Sequence, residues 1–285
     1  MSATRAVALD PFALMGVLNV TPDSFSDGGA HAAAPDAIER GRQLVADGAT
    51  IIDVGGESTR PGAARVGAEE QRRRVVPVIR ALRAERADVA ITIDTTLAEV
   101  AAAALDAGAD AVNDVSAGVE DDAMFRLVAS RRAGIVLMHR LLPPEADRYS
   151  TAHARSLFGG DAPREVAEWL VGRTRAALDH GIERDAIALD PGLGFGKTVD
   201  ENWALLARVD ELVACGFPVV IGASRKSFVG HATGVKEPAQ RVVGSVAAAV
   251  IAWRGGARIV RTHDVSATRQ GLSVAVAASR QARQA

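Results

Sequence analysis

Short runs of apolar and β-branched residues alternate along the chain with longer stretches in which apolar residues recur at helical spacing. The short runs predict strands, because a parallel strand buried on both faces is apolar throughout and only a few residues long. The eight predicted strands are residues 12–20, 50–56, 89–94, 110–116, 134–139, 186–192, 218–224 and 258–263. The eight predicted helices are residues 35–48, 67–85, 96–108, 121–134, 164–181, 201–216, 240–256 and 267–282.

The order of these elements indicates the fold class. Strands that alternate with helices are typical of parallel sheets, since each parallel pair needs a long crossover connection. Eight such units in 285 residues match an α/β fold of the (β/α)8 TIM barrel type. A doubly wound open sheet is the alternative, because local patterns do not reveal whether a sheet closes. No linker or repeat array interrupts the pattern, so residues 1–285 are predicted to form a single domain.

The composition limits the partners and the compartment. The chain is 48% hydrophobic and 24% charged with a net charge of -2, which gives no electrostatic reason to expect nucleic-acid or membrane binding. The N-terminal segment does not have the pattern of a signal peptide, and no apolar run reaches the ~18 residues of a membrane span. The single cysteine, Cys215, excludes an internal disulfide and a cysteine-based zinc site, and it suits the reducing cytoplasm.

Polar residues are concentrated where the predicted strands end. In a barrel these C-terminal ends meet at one mouth, which is where substrates bind. The positions are Asn19, Asp53, Asp94, Asn113, His139, Asp190, Ser224 to Lys226, Arg261 and His263. Polar groups at the end of a buried strand need partners or water, so their convergence on one mouth indicates a site.

The stretch DPGLGFGKT (190–198) has the appearance of a nucleotide-binding loop. A phosphate-binding loop has four residues between its first glycine and Gly-Lys-Thr, whereas three separate Gly192 from Gly196. The dinucleotide pattern also fails, because the last glycine falls at the fifth place. The stretch therefore predicts a strand end at Asp190 and a glycine loop in which Lys197 and Thr198 take no part in the chemistry.

Three strand ends carry hydrogen-bonding side chains, Asp94, Asn113 and Asp190. Any one of them could be a helix cap or an ion-pair partner, but together they suit a planar heterocycle rich in N–H donors. Alternate residues of a strand share a face, so Val115 is predicted to point inward with Asn113. Asp114 is then predicted to point outward and to have a structural role.

Cationic residues gather at the last two predicted strands. Ser224-Arg225-Lys226 ends the seventh strand, and Arg261 and His263 share one face of the eighth. Loops at these two strands form the usual phosphate site of the fold, and the guanidinium fork matches phosphate oxygens. The alternative is a set of incidental surface ion pairs. His139 and Asp53 are predicted to lie in the core or behind the site.

Two glycine-rich segments, TPDSFSDGG (21–29) and GGESTRPGAARV (55–66), follow the first two predicted strands. They carry Phe25 and Arg60, which are unusual residues for plain connections. Glycine, proline, serine and aspartate favour turns, so both segments could be simple loops. The functional alternative is a pair of mobile loops that close over a substrate.

In this order, MGVLNVTPDSFSDGG, DVGGESTRPGA, IDT, NDVS, LMH, LDPGLGFGKT, GASRKSFVG and GARIVRTHDV closely resemble the dihydropteroate synthase family of pterin-binding enzymes. The resemblance runs from about residue 14 to residue 265. The combination of DSFSDGG with GASRK separates the chain from the related pterin domains of corrinoid methyltransferases. The segment after LMH departs from the family, because RLLPPEADRYSTAHARSLFGGDAPREV is longer and differently composed, and this leaves the geometry of residues 140–163 open.

This resemblance implies a transferase that condenses 6-hydroxymethyl-7,8-dihydropterin pyrophosphate with p-aminobenzoate in folate synthesis. It also implies Mg2+ as cofactor, a homodimer, and binding of sulfonamides, which mimic p-aminobenzoate. The implied pterin-binding residues are Asp94, Asn113, Val115, Met138, Asp190, Phe195 and Lys226. The implied pyrophosphate-binding residues are Asn19 (as the Mg2+ ligand), Arg60, Arg261 and His263. The implied p-aminobenzoate-binding residues are Phe25, Thr59, Pro61 and Ser224, and the implied catalytic residues are Asp94, Lys226, Arg261 and His263.

The implied chemistry is a dissociative substitution. Mg2+ and the cationic residues would neutralise the departing pyrophosphate, and Asp94 above all would stabilise the positive charge that develops on the pterin methylene. A non-catalytic pterin-binding paralogue is the main alternative. A corrinoid methyltransferase domain would need a cobalamin module, and a phosphosugar enzyme would leave DSFSDGG without a role.

Overall fold

In the computed structural model, which describes residues 6–21 and 29–282, eight parallel strands form one sheet. The strands are β1 (Ala13–Asn19), β2 (Ile51–Gly55), β3 (Ala90–Asp94), β4 (Ala111–Asp114), β5 (Gly134–Met138), β6 (Ile187–Asp190), β7 (Val220–Ile221) and β8 (Ile259–Thr262). The sheet order is β6-β5-β4-β3-β2-β1-β8-β7, and a bridge between Leu189 and Val219 joins its two ends. The predicted TIM barrel is therefore confirmed, with each of the eight predicted strands in place.

Helices follow the strands and cover the outer face of the sheet. They are α1 (Gly29–Ala46), α2 (Ala68–Glu85), α3 (Ala98–Asp106), α4 (Met124–Arg131), α5 (Ala162–Asp179), α6 (Val199–Ala207), α7 (Val209–Val213), α8 (Ser227–Thr233), α9 (Val242–Arg254) and α10 (Val265–Ala282). No helix within the two described ranges is long and apolar enough to cross a membrane.

The helix predictions were wrong in three details. Helix α1 contains Pro35 in its interior, whereas the sequence pattern placed that proline at the helix start. The predicted helix at 201–216 is divided at Arg208 into α6 and α7. Helix α8 was not among the eight predicted helices, although a helix start after Ser224 was expected, because seven residues are too few for a helical period to be recognised.

Two apolar layers fill the fold, one inside the barrel and one between the sheet and its helices. The inner layer consists of Ala13, Met15, Ile51, Ala90, Val136, Ala188, Val220 and Ile259. Further along the strands the inward positions become polar. The strand register places Gly55 beside Asp94 and Asp94 beside Asn113, so these polar side chains meet above the apolar layer. The interior is therefore filled by apolar side chains at one end and lined by polar side chains at the other.

The chain between β5 and α5 is an ordered connection. It contains two single-turn 3₁₀ helices, Pro144–Ala146 and Ser150–Ala152. We call residues 140–161 the strap. Its end is fixed to the barrel wall, because Asp161 receives two hydrogen bonds from the Arg208 guanidinium at 2.6 and 2.7 Å.

Candidate active site

Arg261 on β8 is held between two buried carboxylates. Its Nε donates to Asp53 Oδ2 at 2.7 Å, and its Nη2 donates to Asp94 Oδ2 at 2.8 Å. Asp53 also accepts from Thr92 Oγ1 at 2.5 Å and from Asn113 Nδ2 at 3.0 Å. Asp53 therefore orients side chains from β3, β4 and β8. It is a site residue that the sequence placed only behind the site, because a lone carboxylate within an apolar strand does not reveal its partners.

Asp94 is buried in a strongly perturbing environment. Burial, followed by the charge of Asp53, raises its pKa to about 7, although Arg261 acts in the opposite direction. Its Oδ1 atom is buried and has no hydrogen-bond partner among the described residues. A buried acceptor without a partner is costly, so this oxygen is available to a ligand N–H group at the barrel mouth. For Arg261, burial lowers the pKa, but Asp53 and Asp94 outweigh burial and keep the guanidinium charged.

A second group of predicted residues surrounds the end of β6. Asp190 is buried and accepts the Gly192 N–H at 2.7 Å. Lys226 Nζ lies 4.6 Å from the centroid of the Phe195 ring and donates to the Leu193 carbonyl. Burial lowers the pKa of Lys226 to about 8, with Asp190 opposing that shift, and burial raises the pKa of Asp190.

Apolar walls accompany these polar groups. Val115 and Met138 are buried, with 5% and 3% of their surface exposed, and Phe195 is partly buried. The register pairs Met138 with Asp190 across β5 and β6. The mouth thus combines carboxylates, an ammonium group and an aromatic ring within one small region, which is the arrangement expected for binding a flat polar ring.

The cationic end of the mouth is less charged than the sequence suggested. His263 Nδ1 lies 3.1 Å from Ser224 Oγ, which also accepts the His263 backbone N–H at 3.2 Å. Burial, then Arg261, lowers the pKa of His263 to about 3, so its imidazole is neutral at physiological pH. Arg225, grouped with the cations in the sequence, is instead bound to Asp264, with Nη2 and Oδ1 2.6 Å apart.

The remaining predicted residues lie at the rim. Asn19 ends β1 and is partly buried, as are Thr59 and Pro61, whereas Arg60 is exposed. Phe25 lies outside the described residues. Among the side chains that the structure describes, no group of three or more His, Cys, Asp or Glu residues is arranged to hold a metal ion.

The glycine loop after β6 is fixed by a buried lysine. Lys197 has no exposed surface, and its Nζ donates to the carbonyls of His139, Gly192 and Phe195 at 3.2, 2.9 and 3.1 Å. Burial, then the charge of Lys226, lowers its pKa to about 7. The sequence pattern assigned Lys197 no chemical role but did not predict its burial, because a lysine in a glycine loop is ordinarily exposed.

Two positions in this loop explain its composition. Gly192 has a φ of +66°, and a Cβ there would lie 1.9 Å from the His139 carbonyl oxygen. Thr198 caps α6, since its hydroxyl accepts the Glu201 N–H and the Glu201 carboxylate accepts the Thr198 N–H. Glycine, lysine and threonine thus have structural roles here, which explains why the phosphate-loop spacing is absent.

Two polar residues near the mouth have structural roles. His139 packs against Phe158 and Trp169, with ring centroids 5.7 and 5.0 Å apart, and burial lowers its pKa to about 2. Asp114 is fully buried and accepts from the Ser116 N–H at 2.8 Å and the Gly118 N–H at 2.7 Å. Both roles agree with the sequence-based interpretation.

Comparisons with known proteins show which family the chain belongs to. The profile described as "Pterin binding enzyme" matches residues 15–263. The solved dihydropteroate synthase of Xanthomonas albilineans with 4-aminobenzoic acid is 44% identical with a TM-score of 0.86, covering 98% of this chain and 95% of that one. The Yersinia pestis enzyme with a sulfonamide drug is 39% identical with a TM-score of 0.87 and 96% coverage of both chains. The Thermus thermophilus enzyme in complex with 6HMPPP is 42% identical with a TM-score of 0.80 and 96% coverage of both chains.

The fold and the site thus define a barrel enzyme of the pterin-binding class, and its activity is that of a transferase. More particularly, the chain belongs to the dihydropteroate synthase family of pterin-binding enzymes.

Proposed function

We propose that the residues at this barrel mouth carry out the dihydropteroate synthase reaction. That reaction joins 6-hydroxymethyl-7,8-dihydropterin pyrophosphate to p-aminobenzoate, giving 7,8-dihydropteroate and pyrophosphate in folate synthesis. The observation that carries the proposal is the free Oδ1 of Asp94, a buried acceptor beside Asp190, Lys226 and the Arg261 guanidinium. This set suits a ring with N–H donors on one side and an anionic leaving group on the other.

Binding of the pterin follows from the partners that are already in place. Asp94 and Asp190 accept from ring N–H groups, and Asn113 is oriented for the same ring by its bond to Asp53. Lys226 donates to a ring oxygen or nitrogen. Phe195, Met138 and Val115 contact the faces of the ring and exclude water from it. The whole chain acts as a single pterin-binding domain.

Bond breaking is dissociative in this proposal. The C–O bond to pyrophosphate lengthens first, so positive charge develops on the pterin methylene and negative charge on the leaving oxygen. The Asp94 carboxylate stabilises the methylene charge, and its position is fixed by Arg261. The aniline nitrogen of p-aminobenzoate then attacks the methylene and loses its proton, so no protein nucleophile is needed.

The pyrophosphate is held by Arg60 and Arg261 as cations and by His263 as a neutral hydrogen-bond donor. The oxygen of Asn19 fits a Mg2+ ion, which prefers oxygen ligands and binds through few protein groups together with substrate phosphates and water. When bound, Mg2+ would neutralise part of the charge on the departing pyrophosphate. One amide oxygen does not make a site by itself, so metal affinity is expected only in the presence of the pyrophosphate substrate.

The p-aminobenzoate carboxylate is assigned to Ser224, with Thr59, Pro61 and Phe25 around the ring. Ser224 Oγ accepts the His263 backbone N–H, and its hydroxyl hydrogen, which donates to His263 Nδ1 in the free protein, would turn to the carboxylate when p-aminobenzoate binds. A sulfonamide presents oxygens at the same distance from an aniline ring, and we expect it to compete for this pocket.

Pyrophosphate release provides the test. Purified protein mixed with Mg2+ and the pterin pyrophosphate is expected to release pyrophosphate at a rate that depends on p-aminobenzoate, and a sulfonamide is expected to inhibit this release competitively. Tight pterin binding without any p-aminobenzoate-dependent release would overturn the proposal and favour a non-catalytic paralogue.

The protein is further proposed to act as a homodimer in the cytoplasm. Val243, Ile251 and Val274 on α9 and α10 are 83%, 47% and 71% exposed, and these two helices pack side by side. A single cysteine suits the cytoplasm. Sedimentation equilibrium of the full chain is expected to give twice the monomer mass. A monomer at all concentrations would exclude the dimer.

A further inference from the structure

The strap contacts the glycine loop through one buried carboxylate. Asp147 Oδ2 accepts the Gly196 N–H at 2.9 Å, and Asp147 Oδ1 accepts from the Arg148 N–H at 2.7 Å and lies 3.0 Å from His153 Nε2. Only 1% of the Asp147 side chain is exposed. These hydrogen bonds lie within the strap or run to the loop, so the position of the carboxylate is determined by the folded loop rather than by solvent.

The same turn of the strap also contacts the loop after β2. The Pro144 carbonyl accepts the Gly62 N–H at 2.7 Å and the Asp147 N–H at 3.2 Å. Gly62 directly follows Pro61, a proposed p-aminobenzoate contact, and Gly196 directly follows Phe195, a proposed pterin contact. One short piece of chain therefore holds the loops that belong to the two substrates.

The strap also approaches the glycine loop closely. A Cβ on Gly196, which has a φ of +69°, would lie 2.7 Å from the Leu141 Cβ. The strap continues to α6 and α8, since Ser150 Oγ accepts from Asn202 Nδ2 at 3.0 Å and the Ser150 N–H donates to Ser227 Oγ at 3.1 Å. The contact at Asp147 is thus one part of a continuous seam rather than an isolated bond.

The charge of Asp147 also acts on the pocket. It favours the protonated forms of both buried lysines, Lys197 and Lys226. The other charged groups that act on Lys226 are Asp190, Asp94, Arg261 and Lys197. Asp147 is the member of this set that comes from the strap.

We propose that Asp147 is a positioning residue for the pterin pocket, and that its carboxylate fixes the Gly196 N–H and thereby places the Phe195 ring against Lys226. This inference rests on the proposed synthase reaction. Asp147 does not touch the substrate in this assignment. It acts through the loop that does, and through the protonation of the lysine beside that loop.

The test compares Asp147→Asn with Asp161→Asn. Each variant removes one negative charge from the strap, but the Asp161 carboxylate is bound to Arg208 at the barrel wall rather than to the glycine loop. For Asp147→Asn we expect the KM for the pterin pyrophosphate to rise about tenfold, because a charge-assisted hydrogen bond is lost. The KM for p-aminobenzoate is expected to change less. Asp161→Asn is expected to match the wild type in both constants.

The pH profile distinguishes positioning from general damage. Loss of the Asp147 charge lowers the pKa of Lys226, so the alkaline limb of kcat/KM is expected to move to lower pH in Asp147→Asn and to stay in place in Asp161→Asn. The proposal would be overturned if the two variants had equal KM values and the same alkaline limb in their kcat/KM profiles. A wild type without p-aminobenzoate-dependent turnover would instead overturn the proposed function.

A second variant covers the case in which Asp147→Asn does not fold. Asp147→Glu keeps the charge but moves the carboxylate by one methylene, so it is expected to raise the pterin KM and leave the alkaline limb unchanged. A pterin KM equal to that of the wild type in a folded Asp147→Glu protein would contradict the positioning role.

Discussion

Replacing Asp94 with asparagine is expected to reduce kcat about 100- to 1,000-fold, while the Kd for the pterin pyrophosphate changes far less. With its single oxygen at the position of the free Oδ1, asparagine retains the ground-state hydrogen bond to the pterin and loses the one from Arg261 Nη2. It lacks the negative charge that stabilises the developing methylene cation. Single-turnover rates measured beside calorimetric pterin binding separate the two quantities. Equal losses in both would show that Asp94 only binds.

The same substitution is expected to change the pH dependence of stability. The pKa of Asp94 is about 7 in the folded protein against its usual 3.8, so the folded state binds more protons than the unfolded state between these values. Ionisation of Asp94 therefore lowers the free energy of unfolding as pH rises above about 4, and this loss is complete above about 7. Asp94→Asn removes this loss, and the variant is expected to lose less stability than the wild type between pH 5 and 8.

Thermal unfolding across this pH range is the measurement. Asp106→Asn is a matched control, because Asp106 is 58% exposed and pairs with Arg131 at the surface. Asp106→Asn is expected to have nearly the wild-type kcat and nearly the wild-type pH dependence of stability. A variant at Asp94 that followed the wild-type pH dependence would show that another group is responsible for it.

Replacing Arg261 with methionine is expected to lower the free energy of unfolding by about 3–5 kcal/mol and to abolish turnover. Methionine fills a similar volume but leaves Asp53 and Asp94 as two buried carboxylates without a cation between them. Removing one partner of a buried ion pair is costly because the other charge stays desolvated. The proposed pyrophosphate contact is lost as well, so the substrate KM is expected to rise with the fall in kcat.

Urea denaturation at two pH values tests this expectation. Without Arg261 the Asp94 carboxylate holds its proton to higher pH, so the loss in the free energy of unfolding is expected to be smaller at pH 5.5 than at pH 8. Arg208→Met is the surface control, because Arg208 pairs with Asp161 and Glu211 on the exterior, and it is expected to lower the free energy of unfolding far less than Arg261→Met does. Similar losses in the free energy of unfolding in the two variants would mean that Arg261 does not form a stabilising buried ion pair with Asp53 and Asp94.

The fold could be predicted because its signals are local. Each strand is an apolar run with a polar residue at its end, as in the segment that ends at Asp94, and each helix has a regular apolar period. The local patterns alone left closure of the barrel open, because closure depends on the distant contact between Leu189 and Val219. The end of α6 at Arg208 likewise reflects packing rather than any proline or glycine in the sequence.

The residue types of the site could be predicted, but their partners could not. Strand ends identified Asp94 and Arg261, yet only the folded chain shows that Asp53 lies between Arg261 and Asn113. Arg225 is the same residue type as Arg261, but it pairs with Asp264 instead of the carboxylates of the site. Asp147 had no recognisable signal, because it lies in a segment without period or motif.

The barrel closes weakly at one place, between β6 and β7. Within the described part of the chain, the pairing there consists of the bridge from Leu189 to Val219 and the hydrogen bond from the Leu189 N–H to the Pro218 carbonyl, at 2.8 Å. Asp190 and Lys226 stand on opposite sides of this gap, so a pterin bound to both would span it. By holding β6 and β7 together, the bound substrate would stabilise the folded enzyme against opening and proteolysis.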